Sequence, residues 1–152
     1  EIAAEVGLPV FVHDRDSNGE VAETLKRYRS RLSGAVVHCF TGTAQDLKAL
    51  LDLDCYIGIT GWVTEKKRGA GLRDIIGALP LERLLIETDA PFLLPRNLPK
   101  GWHAEHAPGI SSRRNEPALL SYVAAGVADA MDLSVEAVVE ASSANARRLF
   151  GL

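Results

Sequence analysis

Four short apolar runs, each carrying a polar, chemically useful side chain at or near its end and the first three each followed by a stretch of helical periodicity, constrain this chain more than any other feature. Val10–His13, opened by Leu8-Pro9, closes on a histidine. Ala35–Phe40 carries His38 near its end, Tyr56–Thr60 ends on a threonine, and Leu84–Asp89 ends on Glu87 and Asp89 before Pro91. Short β-branched and aromatic runs bounded by Gly and Pro predict strands. Between them, Val21–Leu32, Gln45–Leu53 and Leu72–Leu79 carry apolar residues at helical spacing. Strands alternating with helices predict an α/β fold with a parallel sheet and right-handed crossovers. Strand ends near residues 13, 38, 60 and 89 suit either an α/β barrel or a doubly wound sheet. Four strands cannot close a barrel, which takes eight. Glu1–Val6 reads as the end of a helix leading into the first strand, so the fold is expected to be entered midway. After the fourth strand a loop rich in Pro, Gly and Ser runs from Pro91 to about Ser112. Helices are predicted near Pro117–Met131 and Val135–Glu140, with a short last one over Asn145–Phe150.

Within each strand, side chains alternate between faces. Phe11 and His13 share a face, as do Val36 and His38, and Glu87 and Asp89, while Val12, Val37 and Ile86 suit packing against helices. In parallel α/β folds, functional side chains gather at the C-terminal ends of strands. One histidine there is commonly structural, and an Asp before Ala90-Pro91 can cap a turn. His13, His38 and Asp89 together predict a divalent metal site, with nitrogen from two imidazoles and oxygen from one carboxylate. The ligand types suit magnesium, manganese or zinc. Asp89 is the expected catalytic residue, as ligand, as proton acceptor from a coordinated water, or as both.

A net charge of −3 does not advertise a nucleic-acid partner, so polyanion binding has to rest on local charge. Lys66-Lys67-Arg68, Arg96, Lys100, Arg113 and Arg114 fall in loops expected to rim the site, and Arg15 follows His13 closely. Arg15, Arg113 and Arg114 are the candidate phosphate contacts; Lys66–Arg68 also reads as a solvated turn. Trp62 and Trp102 are expected to be packing anchors rather than base-stacking platforms. His103 and His106 have H-x-x-H spacing, but their Gly- and Pro-rich loop argues against helical geometry and a second metal site. Gly69-Ala70-Gly71 lacks the context of a nucleotide-binding loop. Ser111-Ser112 lacks that of a hydrolase nucleophile. No apolar run approaches the roughly 20 residues of a membrane helix, and no membrane partner is expected. Glu1–Val6 has no signal-peptide features. Cys39 and Cys55 sit in apolar runs and read as buried free thiols, which suits a cytoplasmic location.

The segments LPVFVHDRD (8–16), VVHCFTGT (36–43), YIGITGWV (56–63), LLIETDAPFLLPR (84–96), SSRRNEP (111–117) and NARRLFGL (145–152) resemble the TatD family of metal-dependent deoxyribonucleases. The resemblance runs across nearly the whole chain in family order. It implies a TIM-type (β/α) barrel of which residues 1–152 are the C-terminal half, the N-terminal half being absent. It also implies hydrolysis of DNA phosphodiester bonds with one or two divalent metal ions. His13 and His38 match the metal-binding histidines ending the fifth and sixth barrel strands, and Asp89 matches the aspartate ending the eighth. Arg113, Asn115 and Glu116 match a family loop near the active site. The family's first-strand H-x-H and fourth-strand glutamate have no counterpart here, and the loop Leu98–Ile110 departs from common members. Two rivals follow: a related metal hydrolase of amides, lactones or small phosphoesters, and an inactive piece. Half a barrel is expected to leave exposed edges at its first and last strands, and to leave lumen side chains uncovered. It would therefore self-associate or belong to a longer polypeptide.

Overall fold

The structure, a computed structural model, describes residues 1–106, 108, 109, 111 and 113–152. Ile110 of the divergent loop and Ser112 of the serine pair lie outside the described residues. A short helix α1 (Ile2–Val6) leads into strand β1 (Val10–His13). There follow α2 (Glu20–Tyr28), β2 (Ala35–His38), α3 (Ala44–Asp52), β3 (Tyr56–Ile59), α4 (Ala70–Ile76) and β4 (Leu84–Ile86). Helices α5 (Trp102–His106), α6 (Leu120–Met131) and α7 (Val135–Phe150) complete the chain. The four strands are parallel and lie in chain order, β1-β2-β3-β4. A doubly wound sheet reverses its order at a switch point. The order here runs on without reversal, as in the wall of a (β/α) barrel.

The outward face of the sheet makes the main core. Ala35, Val37, Ile57, Ile59 and Leu84 pack against Leu47 and Leu50 of α3, Leu72 and Ile76 of α4, and Val123 and Val127 of α6. Burying each of the larger aliphatic side chains contributes about 1.5–3 kcal/mol. Local chemistry sets the helix starts. Thr43 closes a capping box on α3: its hydroxyl accepts from the Asp46 N–H, and the Asp46 carboxylate accepts from the Thr43 N–H. Ser134 caps α7 by accepting from Ala137 N–H at 3.1 Å.

Several expectations are corrected. Residues 135–150 form one helix rather than two, because packing overrides the modest helix propensity of Ser142, Ser143 and Asn145. The loop after β4 contains α5, so His103 and His106 do sit on a helical turn. Their rings are engaged locally: His103 Nε2 lies 3.2 Å from the Arg114 carbonyl, and His106 Nδ1 lies 3.1 Å from the Trp102 carbonyl. Strands β2, β3 and β4 stop at His38, Ile59 and Ile86, short of Phe40, Thr60 and Asp89.

The largest correction concerns the sheet edge. Glu87 N–H bonds to the Ile59 carbonyl, so alternation turns the Ile86 N–H and the Leu84 carbonyl away from β3. Both are satisfied by α7. Ser142 Oγ accepts from Ile86 N–H at 2.9 Å, and Asn145 Nδ2 donates to the carbonyls of Leu81 and Leu84 at 2.7 and 2.8 Å. Leu149 of the same helix packs on Val36, Tyr56 and Leu85, covering the inner face near the strand starts. The last strand is therefore not an open edge, and those inner side chains are not uncovered. The β1 side differs: no strand pairs with its other edge in this sheet, and Phe11, on the inner face, is 57% exposed. Beside β1 lies an apolar groove of about 760 Å³ lined by Val10, Val12, Val21, Leu25, Tyr28 and Leu32 among others. No single helix among the described residues is long and apolar enough to cross a membrane.

Candidate active site

Register brings the two strand-end histidines together. His13 and His38 are direct neighbours across the parallel β1–β2 pair, one strand spacing apart on the inner face. Their rings face each other, with His13 Nδ1 2.8 Å from His38 Nε2. Phe11 stacks on His38 with ring centroids 4.9 Å apart and 30° between planes. His13 is exposed and His38 is largely covered.

Asp89 is not drawn into this contact. Past Ile86 the chain leaves the sheet, and Asp89 enters a turn in which its carbonyl accepts from Phe92 N–H at 2.7 Å. Among the described residues no group of three His, Cys, Asp or Glu side chains is gathered closely enough to hold an ion. The carboxylate nearest His38 is Glu87, whose Oε1 lies 3.6 Å from His38 Nδ1 and accepts a 2.6 Å hydrogen bond from Cys39 N–H. Burial pushes the Glu87 carboxyl above its usual range, against the pull of the Cys39 N–H and the His38 ring. The Cys39 thiol is likewise raised, chiefly by burial, and contacts Thr60 Oγ at 3.6 Å. Thr60 is buried, and its hydroxyl caps the following 3₁₀ turn by accepting from Trp62 N–H.

Two imidazoles bound at about 2.1 Å to one zinc-sized ion place their nitrogens roughly 3.0–3.4 Å apart. The 2.8 Å separation therefore fits a shared ion after the rings part slightly.

The candidate phosphate contacts lie outside this pair. Arg15 has a side chain 83% exposed, and its ion pair among the described residues is with the neighbouring Asp16, at 4.0 Å. Arg113 and Arg114 are exposed on the loop before α6. The remaining basic rim is partly self-neutralised: Arg68 and Arg96 both bond Glu65 Oε1 at 2.9 Å, and Arg73 donates to three main-chain carbonyls. Arg68 lies over the Trp62 ring, 4.6 Å from its centroid, and Trp62 Nε1 bonds the Arg68 carbonyl, which makes Trp62 a packing anchor. Asn115, buried, takes a structural role. It donates to the carbonyls of Phe92 and Leu93, and its own N–H bonds the Pro91 carbonyl, so it pins the loop that follows Asp89.

Residues 1–151 match the family described as TatD related DNase. The chain belongs to the TatD family. It is 44% identical over 151 residues to the 3'-5' ssDNA/RNA exonuclease TatD of Klebsiella pneumoniae (strain 342), a match covering 99% of this chain and 54% of that protein. It is 45% identical over 152 residues to the protein of the same name from Erwinia billingiae (strain Eb661), covering 100% of this chain and 55% of that one. Among solved structures, the TatD homologue YJJV of Escherichia coli K12 superposes with a TM-score of 0.82 at 30% identity, over 99% of this chain and 53% of its own. The TatD-family hydrolase of Entamoeba histolytica gives 0.78 at 25% identity, over 95% and 51%. The chain thus spans about half the length of these relatives, and its sheet is a partial barrel.

Proposed function

We propose that residues 1–152 form the C-terminal half of a divalent-metal-dependent nuclease that cleaves phosphodiester bonds of DNA. The observation that carries this reading is the His13–His38 pair, two imidazole nitrogens 2.8 Å apart at adjoining strand ends. The names of the relatives, 3'-5' exonucleases of single-stranded DNA and RNA, support removal of nucleotides from a 3' end. His13 and His38 would hold a magnesium, manganese or zinc ion through their facing nitrogens, with Asp89 completing this half's contribution. A bound ion of this kind supplies a water of lowered pKa and neutralises phosphate charge. Asp89 would bind the ion or accept the proton of the attacking water. Arg15, Arg113 and Arg114, exposed around the strand ends, would pair with phosphates along the strand. Cys39 and Cys55 are free thiols, which suits a reducing compartment such as the cytoplasm.

The barrel's remaining strands would extend from β1, whose outer edge pairs with no strand among the described residues. Such strands would come from a longer polypeptide or from a second copy of this chain. A 5'-labelled single-stranded DNA incubated with magnesium or manganese tests the activity. Shortening from the 3' end, lost on chelation and in Asp89→Asn, is expected. Intact DNA alongside cleavage of a small ester would move the chain to the other metal hydrolases. Intact DNA together with no binding of metal would mark the isolated chain as an inactive piece.

A further inference from the structure

We propose that Glu87 is a positioning residue for His38, reaching from the end of β4 across a side-chain-free point of β3 to hold the end of β2 and to set which nitrogen of His38 carries the proton. The inference rests on the reading of His13 and His38 as metal ligands. Three observations carry it. Glu87 N–H continues the β3–β4 ladder onto the Ile59 carbonyl, so its side chain leaves from a fixed backbone onto the inner face. Its Oε1 meets β2 at two adjacent points, the Cys39 N–H at 2.6 Å and the His38 Nδ1 at 3.6 Å. Gly58 makes the path possible. A Cβ there would lie 2.5 Å from Glu87 Oε1, 3.0 Å from its Cδ and 3.1 Å from the His38 Cα.

The geometry at Cys39 gives the contact its purpose. Cys39 sits at φ 50°, in the left-handed region, so the strand breaks its pleat directly after His38. The chain then rejoins β3 through the Phe40 N–H and the Gly58 carbonyl. A residue held in this conformation needs an outside partner to stay there, and the Glu87 carboxylate is that partner. The same oxygen, next to Nδ1, favours the tautomer with its proton on Nδ1. Nε2 is then left with its lone pair directed at His13. A ligating histidine whose other nitrogen meets a carboxylate is fixed in orientation and made more basic, and loss of such a partner costs about 10–100-fold in metal affinity.

Long-range ¹H–¹⁵N spectra of the metal-free chain, taken with its histidines neutral, read the tautomer directly. His38 is expected to be protonated on Nδ1. Glu87→Gln preserves the shape of the side chain and is expected to shift His38 toward the Nε2–H form. Gly58→Ala, which drives a methyl group into the carboxylate, should reproduce that shift by an independent route. Zinc affinity by calorimetry should fall about 10–100-fold in both variants. A His38 protonated on Nε2 in the unmodified chain overturns the proposal without any variant. So does an unchanged tautomer with unchanged zinc affinity in folded Glu87→Gln, an outcome that would leave the metal site itself standing. If the unmodified chain takes up no zinc but shows the Nδ1–H form and loses it in either variant, the metal reading fails and the positioning role stands.

Discussion

His13 Nδ1 and His38 Nε2 face each other at 2.8 Å because β1 and β2 run parallel in a register that makes the two residues neighbours. The pair is two-thirds of the expected ligand set, so either imidazole is expected to be indispensable for metal uptake. His13→Ala and His38→Ala should each weaken zinc binding by more than the roughly 100-fold that losing an outer partner costs. His13 is exposed, so His13→Ala should change the thermal stability of the metal-free chain little, whereas His38→Ala also removes the stack with Phe11 and should lower it modestly. Calorimetric titration with zinc, alongside thermal melts without it, checks both halves. Undiminished affinity in either variant would remove that histidine from the site.

The closure of β4 by α7 predicts a second effect, on stability alone. Asn145, 2% exposed, satisfies two main-chain carbonyls, and Ser142 satisfies the Ile86 N–H. Removing either partner strands buried polar groups at about 1–3 kcal/mol for each group. Asn145→Ala should therefore lower the melting temperature by roughly 5–10 °C, and Ser142→Ala by somewhat less. Both should also raise the tendency to aggregate, since the β4 edge becomes available for pairing. Melting curves and light scattering on the two variants measure this.

The strand-end histidines were legible in the sequence because period-two alternation and a β-branched run place a terminal side chain without help from distant residues. The fold class was legible for the same reason: the strand–helix alternation is local. Glu87 was visible only as a neighbour of Asp89. Its contact is with Cys39, 48 positions away, and depends on Gly58 having no side chain, which no local pattern signals. Ser142 and Asn145 looked like interruptions of a helix; they are polar because they serve a sheet edge. The α5 turn was hidden by the glycine and prolines around it. Asp89 lay within the apparent strand, yet the ladder ends at Ile86 with one further bond at Glu87, so alternation alone could not carry Asp89 to the histidines.

Glu65 gives the acid limb of stability a specific contributor. The Arg96 guanidinium, bonded to its carboxylate, and to a smaller extent Arg68 hold Glu65 below the usual glutamate range. A carboxyl lowered in the folded state adds stability above its unfolded value of about 4.3, and that contribution is lost as the pH falls through the folded value. Arg96→Ala should shrink the contribution, so the variant and the parent should differ in urea midpoint near neutrality and converge once the pH has fallen below the usual glutamate range. A constant difference across the whole range would assign the effect of Arg96 to packing instead of charge.

Cys55 shapes the alkaline limb with the opposite sign. Burial pushes its thiol up to about 11, outweighing the nearby Arg29 guanidinium. The unfolded thiol ionises near 8.5. Below about 8.5 neither state is ionised and the folded state pays nothing. From there to about 11 only the unfolded chain gains by releasing the proton, so stability should fall steadily with rising pH across that window. Cys55→Ala removes the group and should flatten the fall, while Cys39, which burial also raises, keeps its own share. The same burial makes Cys55 a reporter of opening. Its alkylation by iodoacetamide at mildly alkaline pH should follow the unfolding equilibrium, speeding up with urea in step with loss of secondary structure. Rapid labelling of Cys55 in the folded chain would show that the β3 side of the core is open to solvent, and with it that the pH argument has the wrong starting point.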